Sequence, residues 1–182
     1  MGRIVRVVVI LGLGAVVSAC ALQSAGVPVQ AASVADAMPH LKRPNLVVVD
    51  IERSLRIYRD ILGFEASAIR IGGADSYSYP VFNVPASATL RFVSLDEPRE
   101  ARVLNLTEVT GAAIPRPSQS PHTSAVVIGI TDLAQRFERL AELGLETTEP
   151  KVADGVDFRF VEQAFVDYDG HLIVCYEVIN EQ

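Results

Sequence analysis

No block of basic residues, and no interleaving of basic with aromatic side chains, occurs anywhere in this 182-residue chain, whose formal net charge is −6. Neutralising a phosphate backbone takes clustered lysine and arginine, so a nucleic-acid partner is not expected. The start of the chain is short for a membrane-spanning helix, an uncleaved anchor helix being the alternative to a cleaved leader. The apolar run from Val7 to Val17 is about eleven residues long, against the ~20 that a bilayer requires. Cysteine occurs only twice, as Cys20 and Cys175, which is too few for a disulfide framework.

What stands at the start is Arg3 and Arg6, the short apolar run, and then small residues. That order is the pattern of a secretory leader, and losing both arginines with it makes the remainder more acidic still. The "VSAC" stretch, Val17 to Cys20, resembles the lipobox of bacterial lipoproteins. The resemblance implies cleavage after residue 19 and lipid on the sulfur of Cys20, with acyl chains such as palmitate anchoring the protein to the membrane. Several chains hold far better than one, at ~0.8 kcal/mol per buried methylene. Ala21 follows where an aspartate would favour the inner membrane, so the expected location is the cell envelope, facing the periplasm, with the outer membrane preferred. An acylated Cys20 cannot pair, which leaves Cys175 as a lone thiol, expected in the core. Residues 20–41 lack aromatics and periodicity and read as the lipidated cysteine with a flexible tether.

The remaining 42–180 divides at "GAAIPRPSQSP", Gly111 to Pro121, where three prolines interrupt any strand or helix. Module one covers 42–110, the linker 111–121 and module two 122–180. "NLVVVDIERSLRIYRDILGFE" and "AVVIGITDLAQRFERLAELGLE" coincide after a shift of 82, which places Asp50 on Asp132, Leu55 on Phe137 and Tyr58 on Leu140. In each copy a β-branched run precedes an acidic residue, apolar residues then recur at helical spacing, and Gly63 or Gly144 ends the helix. Asp50 and either Thr131 or Asp132 are candidate N-caps. Strands are predicted at Phe64–Ile71, Thr89–Leu95 and Arg102–Val109 in the first copy. In the second they are predicted at Leu145–Glu149, Phe158–Asp167 and His171–Ile179. Both copies are then βαβββ units, an α+β arrangement of one supersecondary unit used twice. Gly72 to Ala88 is an insertion in the first copy only, a lid or an edge cover.

Two βαβββ units, the "LGF" at the helix end, and "DYDGH" before the last strand together resemble the vicinal-oxygen-chelate superfamily of glyoxalases, bleomycin-resistance proteins and extradiol dioxygenases. The resemblance spans roughly Lys42 to Val178. It implies two tandem modules curled into an incomplete barrel around a central cavity. Metal-binding members take a ligand from the first and last strand of each unit, and those positions fall here on Arg43, Asn105, Ala125 and Val174. Alanine and valine have no lone pairs to give, and a guanidinium repels a cation, so no metal and no other cofactor is expected. His122 and Glu108 lie three residues from Ala125 and Asn105, on the opposite strand face.

Arg43 is read either as a cavity anchor for a carboxylate or phosphate, or as a strand-end arginine reaching solvent. Asn105 either completes such a site or bonds to backbone. Tyr79 and Phe82, beside Tyr77 in the insertion, either stack a flat ligand or pin the insertion down. Asp167 and Asp169 are expected to cap their own turn. His171 is expected in solvent and His40 in the tether, and Arg91, Arg99 and Arg102 are read either as positive charge near the cavity or as scattered surface residues. No catalytic residue can be named. Three functions stay open: metal-free binding of a small organic ligand, a metal-independent lyase or isomerase of the glyoxalase kind, and a structural role at the envelope. The paired modules can assemble within one chain or be swapped between two chains, and a homodimer is compatible with both.

Overall fold

The computed structural model describes residues 41–116 and 121–179. The leader, Cys20, the tether with His40, and the middle of the linker lie outside the described residues. The described residues belong to one compact unit. Among the described residues, no helix is long and apolar enough to cross a membrane.

Module one begins with β1 (Asn45–Val48) and α1 (Ile51–Tyr58), followed by the two-residue strands β2 (Glu65–Ala66) and β3 (Arg70–Ile71). A short α2 (Ser78–Val81) lies within the insertion, and β4 (Thr89–Glu97) and β5 (Glu100–Thr110) complete the module. The sheet order is β1-β5-β4-β2, with β3 also pairing with β4. Module two has β6 (Val126–Gly129), α3 (Leu133–Glu142), β7 (Lys151–Asp154), β8 (Arg159–Val166) and β9 (Leu172–Ile179), in the order β6-β9-β8-β7. Each first strand runs parallel to the last strand of its own module. The result is the expected α+β fold of two βαβββ modules with unclosed sheets.

Both helices form for the reason the periodicity gives: their apolar residues share one face. In α1 this face is Ile51, Leu55 and Tyr58, with Ile57 beside them; in α3 it is Leu133, Phe137 and Leu140. All seven join one core with Val48, Val93, Leu106, Phe165, Ile173 and Cys175. Each such side chain contributes roughly 1.5–3 kcal/mol of burial. Gly144 directly follows the C-cap of α3, and Gly63 closes the turns that follow α1; their φ values of +74° and +87° are ones at which a Cβ would be strained.

The structure corrects the strand boundaries in two places. The predicted strand Phe64–Ile71 is broken into β2 and β3, with Ser67 between them bonding to Ser94 through backbone and side chain. The predicted strand Leu145–Glu149 contributes only a bridge from Thr147 to Phe165, and the regular strand starts beyond Pro150. Proline has no N–H to give to a ladder, so the ladder resumes after it.

Candidate functional site

The two faces of each sheet have different tasks. In module one, Leu46, Val48, Val93, Leu95, Leu104 and Leu106 face the helices. The inner face carries Val47, Leu90, Phe92 and Val109, covered by Tyr79, Phe82, Val84 and Ala88 of the insertion and by Ile114. Tyr79 is buried and its hydroxyl donates to Ala88 O at 3.1 Å. The insertion thus covers the sheet, and Tyr79 and Phe82 pin it there, while Tyr77 stays exposed. Beside this apolar patch Thr107 Oγ1 donates to Asn45 Oδ1 at 2.9 Å, and Asn105 Oδ1 is buried with no partner. In module two the face away from the helices holds Val127, 62% exposed, and Val178, 43% exposed, together with Val174, which pairs with Val127.

Strand pairing fixes the equivalence of the two last strands. Asn105 pairs with Asn45, Val174 pairs with Val127, and Asn45 and Val127 are 82 residues apart. Arg43 precedes β1 by two residues, is half-buried, and has no hydrogen bond or ion pair among the described residues. A metal of the kind the superfamily uses does not fit this set. Arg43, Asn105, Ala125 and Val174 provide one neutral amide and one fixed cation where several anionic or imidazole donors are needed.

One group of carboxylates does come together. Oxygens of Asp50, Glu52 and Glu108 lie within 4.8 Å of one another, but on the helix side of the sheet, and a guanidinium is already there. Arg91 pairs with Glu108 at 3.0 Å and with Glu52 at 2.5 Å. These bonds hold the Glu52 carboxyl below its usual range. Arg91, expected as scattered surface charge, is partly exposed and is the counter-ion of Glu52 and Glu108. Glu108 also accepts from Ile51 N at 2.9 Å, capping α1 together with Asp50, which accepts from Arg53 N. Module two repeats the device with Glu177, which accepts from Asp132 N at 2.8 Å and Leu133 N at 3.1 Å. Asp132 itself is left-handed, at φ 55°, and its side chain caps nothing. The sequence carries a sign of this shared role: Glu108 and Glu177 each stand three residues after the equivalent positions Asn105 and Val174.

The "DYDGH" turn holds the modules together. Asp167 Oδ1 accepts from the backbone N–H of Asp169 and His171, as expected of a capping aspartate. Its other oxygen accepts from the hydroxyl of Tyr58 on α1 at 2.8 Å. Burial, with the carboxylate next to it, pushes the Tyr58 phenol well above its ordinary value. Asp169 Oδ1 accepts from Val49 N at 3.1 Å and from Arg53 at 3.2 Å, and Arg53 lies over the ring of Tyr168. His171, expected in solvent, instead places Nε2 2.9 Å from Val47 O. Side chains of module two therefore satisfy the free edge of β1. Cys175 is fully buried as expected, its thiol pushed up to about 12 by desolvation.

A cavity of about 620 Å³ lies along β6. One wall is the continuous run Ala125–Ile130. The opposite wall combines Leu62, Gly63 and Phe64 after α1 with Glu97, Pro98, Val103 and Leu104 of the β4–β5 hairpin, and Leu41 and Pro44 also contribute. Glu97 is its one charged side chain, and it forms no ion pair among the described residues. Of the sequence-derived positions only Ala125 lines this groove. Arg43 lies in sequence between two lining residues, while Asn105, Tyr79 and Phe82 belong to module one's inner face.

Residues 38–175 match the model of the Glyoxalase/Bleomycin resistance protein/Dioxygenase superfamily, and the chain belongs to that superfamily. A glyoxalase family protein from Bacillus cereus is similar in structure, with a TM-score of 0.62 at 16% identity, over 79% of this chain and 99% of that one. A glyoxylase/bleomycin resistance protein/dioxygenase domain from Frankia sp. EAN1pec has a TM-score of 0.53 at 19% identity, over 80% and 96%. At these identities the likeness is one of fold. A search of curated proteins finds no match.

Proposed function

We propose that this protein holds a small organic ligand by shape and hydrogen bonding, without a catalytic metal, while tethered to the envelope by lipid on Cys20 and facing the periplasm. The observation that carries the first part is the donor set. Two of the four chelating positions, Ala125 and Val174, are aliphatic, a third is a cation, and the inner face of module one is filled by its own insertion. The groove along β6 is the seat of the ligand, since such sites are concave and mostly apolar with a few polar groups. Arg43, bracketed by the lining residues Leu41 and Pro44, is the cation available to an acidic group of the ligand.

Metal analysis of the purified full chain in detergent tests the first part. It is expected to find no stoichiometric zinc, nickel, iron or manganese, and a stoichiometric ion that EDTA removes with loss of structure would end this reading. Thermal shifts against metabolite and antibiotic panels test binding itself, because a ligand of the native state raises the melting temperature by mass action. Arg43→Ala is expected to abolish the shift given by anionic ligands and to leave the unliganded melting temperature unchanged. A panel without a single shift would favour a structural role. Radiolabelled palmitate incorporation, lost in Cys20→Ser, tests the anchor.

A further inference from the structure

The groove is one half of a pseudosymmetric junction whose other half is filled. In a strand, the N–H and C=O of one residue point to the same side. Asn105 N bonds to Pro44 O, so the even-numbered residues of β1 face β5, and Val47 and Val49 turn outward. Their outward groups are the ones that His171 and Asp169 bind. On β6, Ile130 N bonds to Tyr176 O, so the even-numbered residues face β9, and Ala125, Val127 and Gly129 turn outward into the groove. Gly129 is the counterpart of Val47 under the shift of 82. The module-one counterpart of the "DYDGH" turn is the tip of the β4–β5 hairpin, Pro98 and Arg99 between Glu97 and Glu100. That turn does not reach β6: Glu97 and Pro98 form the far wall of the groove, and Glu97 pairs across its own hairpin with Glu100, another carboxylate.

An open strand edge of this kind takes an extended chain. The five steps from Ala125 to Ile130 make it roughly 16 Å long. We infer that the ligand class of the groove is a short extended peptide, which adds as a strand to the free edge of β6 and sets a positive group against Glu97. The inference rests on the groove being a ligand site, as proposed above. Two features carry it. Outward N–H and C=O groups at Val127 and Gly129 match a peptide backbone and no purely apolar molecule. The groove's unpaired carboxylate faces a like charge across the hairpin, an arrangement that a cation relieves.

The test is fluorescence polarisation of the full chain in detergent with labelled pentapeptides that alternate valine and threonine and carry lysine at either end. Matched peptides carry glutamate in place of lysine, or N-methyl groups at alternate residues on one edge or the other. Lysine peptides are expected to bind, and N-methylation of one edge to weaken them roughly tenfold or more, the scale of one or two hydrogen bonds. Methylation of the other edge is expected to have little effect. Val127→Pro removes an outward N–H, leaves the ladder to β9 intact, and is expected to weaken binding similarly. Glu97→Gln is expected to remove the preference for lysine over glutamate. Equal binding of both N-methylated forms overturns the inference, as does the absence of binding by every peptide at millimolar concentration. If peptides fail while the metabolite panel gives shifts, strand addition is wrong and the metal-free ligand site stands. If both fail, the ligand site fails as well.

Discussion

The two modules share one plan and differ in what covers them. Module one has its inner face closed by residues 72–88, and the edge of its first strand is closed by the turn of the other module. Module two has an inner face with exposed valines and a first-strand edge that opens onto a groove. The helices, their trans-capping glutamates and the parallel first-to-last strand pairing are common to both. The difference therefore comes from short segments between the shared elements. "DYDGH" supplies one carboxylate and an imidazole to its neighbour's edge, and a second carboxylate to Tyr58 on the neighbour's helix. "EPREAR", Glu97 to Arg102, supplies none, because Glu97 and Glu100 oppose each other and Arg102 turns back at φ 60° to donate its N–H to Asp96. One repeated scaffold thus yields a sealed junction and an open one.

Breaking the sealed junction is expected to give the largest effect. Asp167→Ala removes the acceptor of three donors, the Tyr58 hydroxyl and the N–H groups of Asp169 and His171. An unsatisfied buried polar group costs about 1–3 kcal/mol, so a total loss of roughly 3 kcal/mol or more is expected in urea denaturation. Tyr58→Phe, which removes a single bond, is expected to cost about 1 kcal/mol. If both variants melted like the parent, the turn would not be the element that joins the modules.

Asp169 comes next, and its effect depends on pH. Burial holds its carboxyl above the ordinary 3.8, so on acidification the folded chain takes up this proton before the unfolded chain does. Its contribution to stability therefore rises as pH falls from neutral through the interval between the raised value and 3.8, and is lost as pH climbs back. Asp169→Asn abolishes that dependence and keeps an acceptor for Val49 N. The parent is expected to gain stability over the variant steadily across this acid range in urea titrations. A difference that is flat, or that grows towards neutral pH, contradicts the burial of the charge.

The repeat was legible because it is local: an 82-residue shift aligns cap, helix face and closing glycine within each copy. The chelating positions were legible for the same reason, being set by distance from a cap or a turn. What escaped was contact between copies. Nothing near His171 in sequence shows that Val47 O, over a hundred residues away, accepts its hydrogen bond, and a residue after a turn glycine ordinarily faces water. Arg91 looked like scattered surface charge because Glu108 faces it only across the β4–β5 pair and Glu52 reaches it only after α1 packs on the sheet. Tyr79 and Phe82 sit on the side of a sheet that either a ligand or an insertion can cover, and aromatic content does not distinguish the two. The β6 groove was hidden most completely, since it exists only because a turn with the wrong side chains stands where a docking turn would be.

Removing Glu97 is expected to have the smallest effect on stability and one of the clearest on binding. Its carboxylate has no ion-pair partner among the described residues and opposes Glu100, so Glu97→Gln costs nothing that packing or pairing provides. The expected change lies within about ±0.5 kcal/mol, on the stabilising side if the two carboxylates repel at low salt. The same loss of charge at Asp167 disturbs an acceptor that serves three donors, so the two turns of one scaffold respond oppositely to it. A loss of more than about 1 kcal/mol in Glu97→Gln would exceed anything an unpaired surface carboxylate contributes. Glu97 would then be holding the hairpin against β6, and the groove would be a closed seam between the modules.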